Sequence, residues 1–182
     1  MRRHYVVEPH VDDAYLSLHQ HITDWIRWGE EVTIASIFSG TRDRAQEAIA
    51  YATAVGARWV GYGFDERISK SAPFRQPFHF RSPAGRGREE HLVYTPAGIE
   101  HPVHLEVHKW ISADFHYLDI PYAYKDRNRH FYNQLISRRV SRKRADMSKG
   151  GYWQCFPDQM GFFGRNPPCT YLDKFEVILL PR

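Results

Sequence analysis

The order of apolar patterns in the first 64 residues constrains the fold most. Residues 4–8 (HYVVE) are a short apolar run. From Asp12 the period changes, and Tyr15, Leu18, Ile22, Trp25 and Ile26 recur at helical spacing up to Gly29. Residues 31–38 read as a second strand, 42–55 as a second helix closed by Gly56, and 58–64 as a third strand. Strand–helix–strand units joined by short connections pair their strands in parallel, with right-handed crossovers. The expectation is an α/β, Rossmann-like domain, a mostly parallel sheet flanked by helices. Its active site belongs at the carboxyl edge of the strands. Residues 9–13, 39–44 and 65–67 fall on that edge.

The 182 residues suffice for a single such domain, taken as 1–182. Prolines, glycines and arginines in 69–90 break the pattern and predict a long loop or lid. Residues 91–95 are a candidate fourth strand. Pro102 suits the first helical position, with His101 just before it. Residues 117–124 are expected to form a fifth strand, 127–143 a basic helix, and 170–180 a last strand. No apolar run is long enough to span a membrane. Cys155 and Cys169 make neither a CxxC pair nor a disulfide framework, which places the chain in a reducing cytoplasm. The net charge of +4 gathers in 138–144 and 75–88. Solvated faces are the plain reading, and an anionic partner such as nucleic acid or a phospholigand is the alternative.

Two corners carry candidate chemistry. His10, Asp12 and Asp13 sit where the first strand meets its helix, and His101 and His104 sit at a second such corner. Imidazole and carboxylate together suit Zn²⁺, and a catalytic zinc takes three protein ligands with one position open for water. His10 and Asp13, three residues apart at a helix start, can aim at one point, and His104 can supply the third ligand. Asp12 and His101 are then left for proton transfer. Taken alone, an Asp pair before a helix is a cap with a favourable dipole contact. His108 shares a helix face with His104, but Leu105 stands where the zincin signature needs Glu.

The stretches "EPHVDDAYLS" and "IEHPVHLEV" resemble the two motifs of the LmbE-like, or PIG-L, superfamily of zinc-dependent deacetylases, (A/P)-H-P-D-D-E and H-x-x-H. Arg44-Ala-Gln-Glu47 resembles the family's R-x-x-E helix, and Asp65 its acidic residue after the third strand. The resemblance implies one Zn²⁺ per chain on His10, Asp13 and His104. It implies Asp12 as general base and His101 as the group that stabilises the oxyanion or protonates the leaving amine. Arg44 and Asp65 would contact substrate, an N-acetylated amino sugar or sugar conjugate. Val11, Ala14 and Val103 depart from the motifs, where relatives have Pro, Glu and often Asp. None of the three removes a proposed ligand or acid–base group.

Overall fold

The structure, a computed structural model, describes residues 1–64, 90–137, 139–144, 147–157, 160 and 175–181. The described strands are β1 (Arg2–Glu8), β2 (Glu31–Ser36), β3 (Arg58–Gly61), β4 (Glu90–Pro96), β5 (Phe115–Tyr117), β6 (Val140–Arg144) and β7 (Phe175–Leu179). The described α-helices are α1 (Asp13–Arg27), α2 (Arg42–Val55), α3 (Pro102–Trp110) and α4 (Arg129–Ile136). The strands form one sheet in the order β3-β2-β1-β4-β5-β7-β6. β1 to β5 pair in parallel, while β7 is antiparallel to both β5 and β6. No described helix is long and apolar enough to cross a membrane.

β1 lies between β2 and β4, so both its faces need cover. Val6 packs with Tyr15, Leu18 and Ile22 of α1 and Tyr51 and Val55 of α2. Val7, pointing the other way, packs with Val103 and Val107 of α3. Consecutive valines facing opposite layers are what a doubly covered strand requires. α2 ends at Gly56, whose φ of +85° is a left-handed cap that glycine adopts at little cost.

The strand order reverses between β1 and β4. Such a switch point opens a crevice at the carboxyl ends of the two strands, because their connections leave in opposite directions. Both histidine corners lie there.

Behind α1, Lys149 is fully buried. Its ammonium donates to Glu176 Oε1 at 2.8 Å and to the Leu16 carbonyl at 2.7 Å. The other oxygen of Glu176 accepts the Gln20 N–H at 2.7 Å. This ties the short helical segment Met147–Cys155 and β7 to α1.

Four expected elements differ; the second strand, expected over 31–38, ends at Ser36. The strand expected over 117–124 ends at Tyr117 and is followed by a 3₁₀ turn, Tyr122–Tyr124. The Leu118 N–H still bonds the Val177 carbonyl of β7 at 3.0 Å, but Pro121 lacks the N–H that a longer ladder needs. The basic helix expected over 127–143 is only Arg129–Ile136, and the cationic run after it is the edge strand β6. The buried strand β7 needs backbone partners along its outer edge, and β6 supplies them from Val140↔Leu179 to Arg144↔Phe175. Charged side chains on such a strand guard the open edge, and Lys143 also reaches Asp24 at 2.5 Å. The third strand stops at Gly61, short of residue 64. Of the segment expected as a loop or lid, Glu90 begins β4, and 69–89 lies outside the described residues.

Candidate metal centre

The first corner is a closed turn. Asp13 opens α1, and its N–H approaches the His10 carbonyl at 3.3 Å while its Oδ2 accepts the His10 N–H at 2.7 Å. Asp12 occupies the N-cap position, yet its side chain makes no capping hydrogen bond to the helix. The carboxylate that the capping account would bind to the helix is not bound there. Both carboxylates are buried.

The second corner follows β4. Gly98 and Glu100 both take left-handed φ values, +73° and +67°. That reversal brings His101 to the start of α3, with Pro102 in the first turn and His104 buried one turn in. The Glu100 carboxylate accepts from Lys125 Nζ at 2.9 Å, Arg127 Nε at 2.9 Å and Asn128 Nδ2 at 2.6 Å. These bonds hold the segment after β5 against the corner. The Tyr122 ring then lies 5.4 Å from the His101 ring and 5.2 Å from the His104 ring.

The corners converge. His10 Nδ1 is 3.3 Å from Asp13 Oδ2, His104 Nε2 is 3.3 Å from Asp13 Oδ2, and His104 Nε2 is 3.3 Å from His10 Nδ1. Ligands about 2.0–2.1 Å from a tetrahedral zinc stand about 3.3 Å apart, so the three atoms fit one face of that tetrahedron. His101 offers a further nitrogen, and the ligand atoms of His10, His101 and His104 lie within 4.8 Å of one another. The three histidines alone could therefore also hold an ion, with His101 in place of Asp13.

On the far side of His104, its Nδ1 faces Asp119 Oδ1 at 3.5 Å, with both side chains fully buried. Asp119 Oδ2 is fixed by the Ile99 N–H at 2.7 Å. A carboxylate behind a ligating histidine sets the tautomer and the ring orientation.

Charge follows geometry. Burial opposes charge on Asp13, but attraction to His104 and hydrogen bonds from His10 and His104 outweigh it and hold the carboxyl far below its usual range. Burial likewise opposes charge on His104, but Asp13 and Asp119 push it up to about 10. Asp12 goes the other way. Burial, and then repulsion from Asp13, raise it to about 6, against the pull of His10 and Arg44. Adjacent carboxyls thus divide into a firm anion and a group that exchanges its proton near neutrality.

The structure brings His10, Asp12, Asp13, His101 and His104 together. Arg44 lies in the first turn of α2, half-buried and near enough for its charge to act on Asp12. Asp65 lies outside the described residues. His108 turns away, with its Nδ1 3.0 Å from the Pro96 carbonyl and its ring against His116. Asp119, Tyr122 and Glu100 were not anticipated. An acidic residue inside the apolar stretch Tyr117-Leu-Asp-Ile, just after a sheet strand, was the available sign for Asp119.

No protein-family model matches the chain, and no curated protein matches its sequence. Solved structures do match in fold. The A40926 pseudoaglycone deacetylase is 15% identical, covering 98% of this chain and 96% of its own, with a TM-score of 0.65. The zinc-inhibited form of teicoplanin deacetylase is 16% identical over 98% and 97%, also with a TM-score of 0.65. The 4-carboxy-2-hydroxymuconate hydratase of Pseudomonas putida is 15% identical over 91% and 82%, with a TM-score of 0.55. The chain has the α/β fold of these enzymes, the one that its two motifs led us to expect from the LmbE/PIG-L type.

Proposed function

We propose that the chain is a zinc-dependent hydrolase that removes an acetyl or other acyl group from an amine, with an amino sugar or sugar conjugate as substrate. The observation that carries this is the triangle of His10 Nδ1, Asp13 Oδ2 and His104 Nε2, with edges of 3.3 Å, beside a carboxyl that accepts nothing from its helix. These three residues would hold one zinc, which when bound polarises a carbonyl and lowers the pKa of its water toward about 7. Asp12 takes the proton of the attacking water and can pass it on, because its environment raises its affinity for that proton to about 6 in the metal-free chain. His101, its ring 5.0 Å from that of His10, stabilises the negative charge on the tetrahedral intermediate or protonates the leaving amine. Arg44 and Asp65 are the proposed substrate contacts. The cytoplasm is the proposed location, where the free thiol of Cys155 stays reduced.

The names of the deacetylase neighbours support an acylated amine as substrate. The hydratase neighbour favours a second reading, in which the same activated water adds to a carbon–carbon double bond. Nucleic-acid binding gains no support: residues 140–144 form the outermost described strand, separated from the β1/β4 crevice by β5 and β7, and 75–88 lies outside the described residues. The test is acetate release from zinc-loaded protein on N-acetyl sugars, nucleotide sugars and acylated cofactors, with enol acids as the hydratase control. Asp12→Asn is expected to keep zinc and lose turnover by about 10²–10⁴-fold. Full activity in that variant removes Asp12 as the base.

A further inference from the structure

Glu8 is the last residue of β1 and is fully buried two positions before His10. Its Oε2 accepts the Ala14 N–H at 2.8 Å. That N–H belongs to the first turn of α1, where backbone donors have no partner within the helix. Its Oε1 accepts the Ser36 hydroxyl at 2.5 Å, and Ser36 Oγ accepts the Trp59 indole N–H at 2.8 Å. One carboxyl therefore joins the end of β1 to the start of α1, and through Ser36 and Trp59 to β2 and β3. Between its two ends of attachment the chain runs through His10, Asp12 and Asp13. Ala14 is the position where the resembling motif has its Glu. Here a carboxyl reaches that backbone from the strand instead.

We infer that Glu8 is a positioning residue for the metal centre, a bracket across residues 9–13 that fixes the spacing of His10 and Asp13. Without it the turn keeps its own bonds, from His10 to Asp13, but loses its anchorage to the sheet. The inference rests on the metal centre proposed above. The His10 ring is carried by the turn, and the Asp13 ligand atom by the first residue of the helix. Their separation therefore depends on how helix and strand are joined.

The test uses the full chain, with the zinc Kd measured by competition against a chromophoric chelator. The d–d spectrum of the Co²⁺ form reports the ligand geometry, and circular dichroism and melting report the fold. Glu8→Gln keeps an oxygen for the Ala14 N–H and an N–H for Ser36 Oγ, so its Kd is expected within about threefold of wild type. Glu8→Met removes both acceptors at similar volume. It is expected to weaken zinc about 10–100-fold, the usual cost of an outer-shell partner, and to shift the Co²⁺ bands. An unchanged Kd in a folded Glu8→Met overturns the inference, as does equal loss in Glu8→Gln. If Glu8→Met does not fold, Ser36→Ala loosens the same carboxyl from its other side, and an unchanged Kd there overturns it equally. Wild type and His104→Ala in the same titration separate the two claims. If wild type binds no zinc, the metal centre itself fails. If wild type binds zinc and the bracket variants match it, only the role of Glu8 fails.

Discussion

Changing Asp119 to Asn separates its hydrogen bond to the backbone from its ion-pair contact with His104. Its Oδ2 accepts a buried backbone N–H from Ile99 at 2.7 Å, and its Oδ1 faces His104 Nδ1 at 3.5 Å. An asparagine can keep the first bond through its amide oxygen, but its NH₂ then meets His104 Nδ1. The imidazole answers by moving its proton from Nδ1 to Nε2, the nitrogen aimed at Asp13 and His10. A protonated Nε2 cannot bind a metal. The variant is therefore expected to melt near wild type while binding zinc about 10–100-fold more weakly, about 1.4–2.7 kcal/mol. Asp119→Ala should lose the same affinity and also leave the Ile99 N–H without its acceptor, a further cost of about 1–3 kcal/mol in stability. Chelator competition gives the first number and urea titration the second. Wild-type zinc affinity in a folded Asp119→Asn would falsify the account of His104 as a ligand oriented from behind.

The metal-free protein should lose stability as the pH rises. His104 is held up to about 10 in the folded chain, against about 6.5 when unfolded. Its stabilising contribution is full below about pH 6.5, because both states are then protonated, and is lost as the pH rises through about 10. Urea midpoints in chelator at pH 7 and 9.5 should fall further for wild type than for His104→Gln, and equal falls would refute the assignment. Glu100 holds a φ of +67° that glycine adopts without strain. Glu100→Gly and Glu100→Ala lose the same side-chain bonds, so the Gly variant should melt higher, and the reverse order would show that the turn is not strained.

The first half of the fold was legible because its signals are local. Tyr15, Leu18, Ile22 and Trp25 recur at helical spacing and are all buried on one side of α1. The valines of β1 mark a strand covered on both faces. The site's two corners were legible because each is a short motif at a strand end. What a local reading could not reach was pairing between distant segments. Residues 140–144 have the charge of a solvated helix, and only the need of β7 for an outer partner makes them a strand. Asp119 stands in an apolar stretch, but nothing near it in sequence says that His104 would lie beside it. Glu8 looked like the polar end of a strand, and its acceptors become meaningful only when Ala14 and Ser36 meet it.

The buried pair of Lys149 and Glu176 has a consequence well away from itself. β7 alternates, with Glu176 turned to α1 and Val177 packed with Leu118 and Ile99 on the opposite layer. Sliding β7 by one residue would exchange those faces and leave the Lys149 ammonium among apolar side chains with no counter-charge. Breaking such a pair costs about 3–5 kcal/mol, so the strand is pinned in a single register. That register sets where the Val177 carbonyl receives the Leu118 N–H at 3.0 Å, one residue before Asp119. A buried salt bridge between β7 and the segment behind α1 thereby acts as the alignment mark for a carboxylate beside the candidate metal centre.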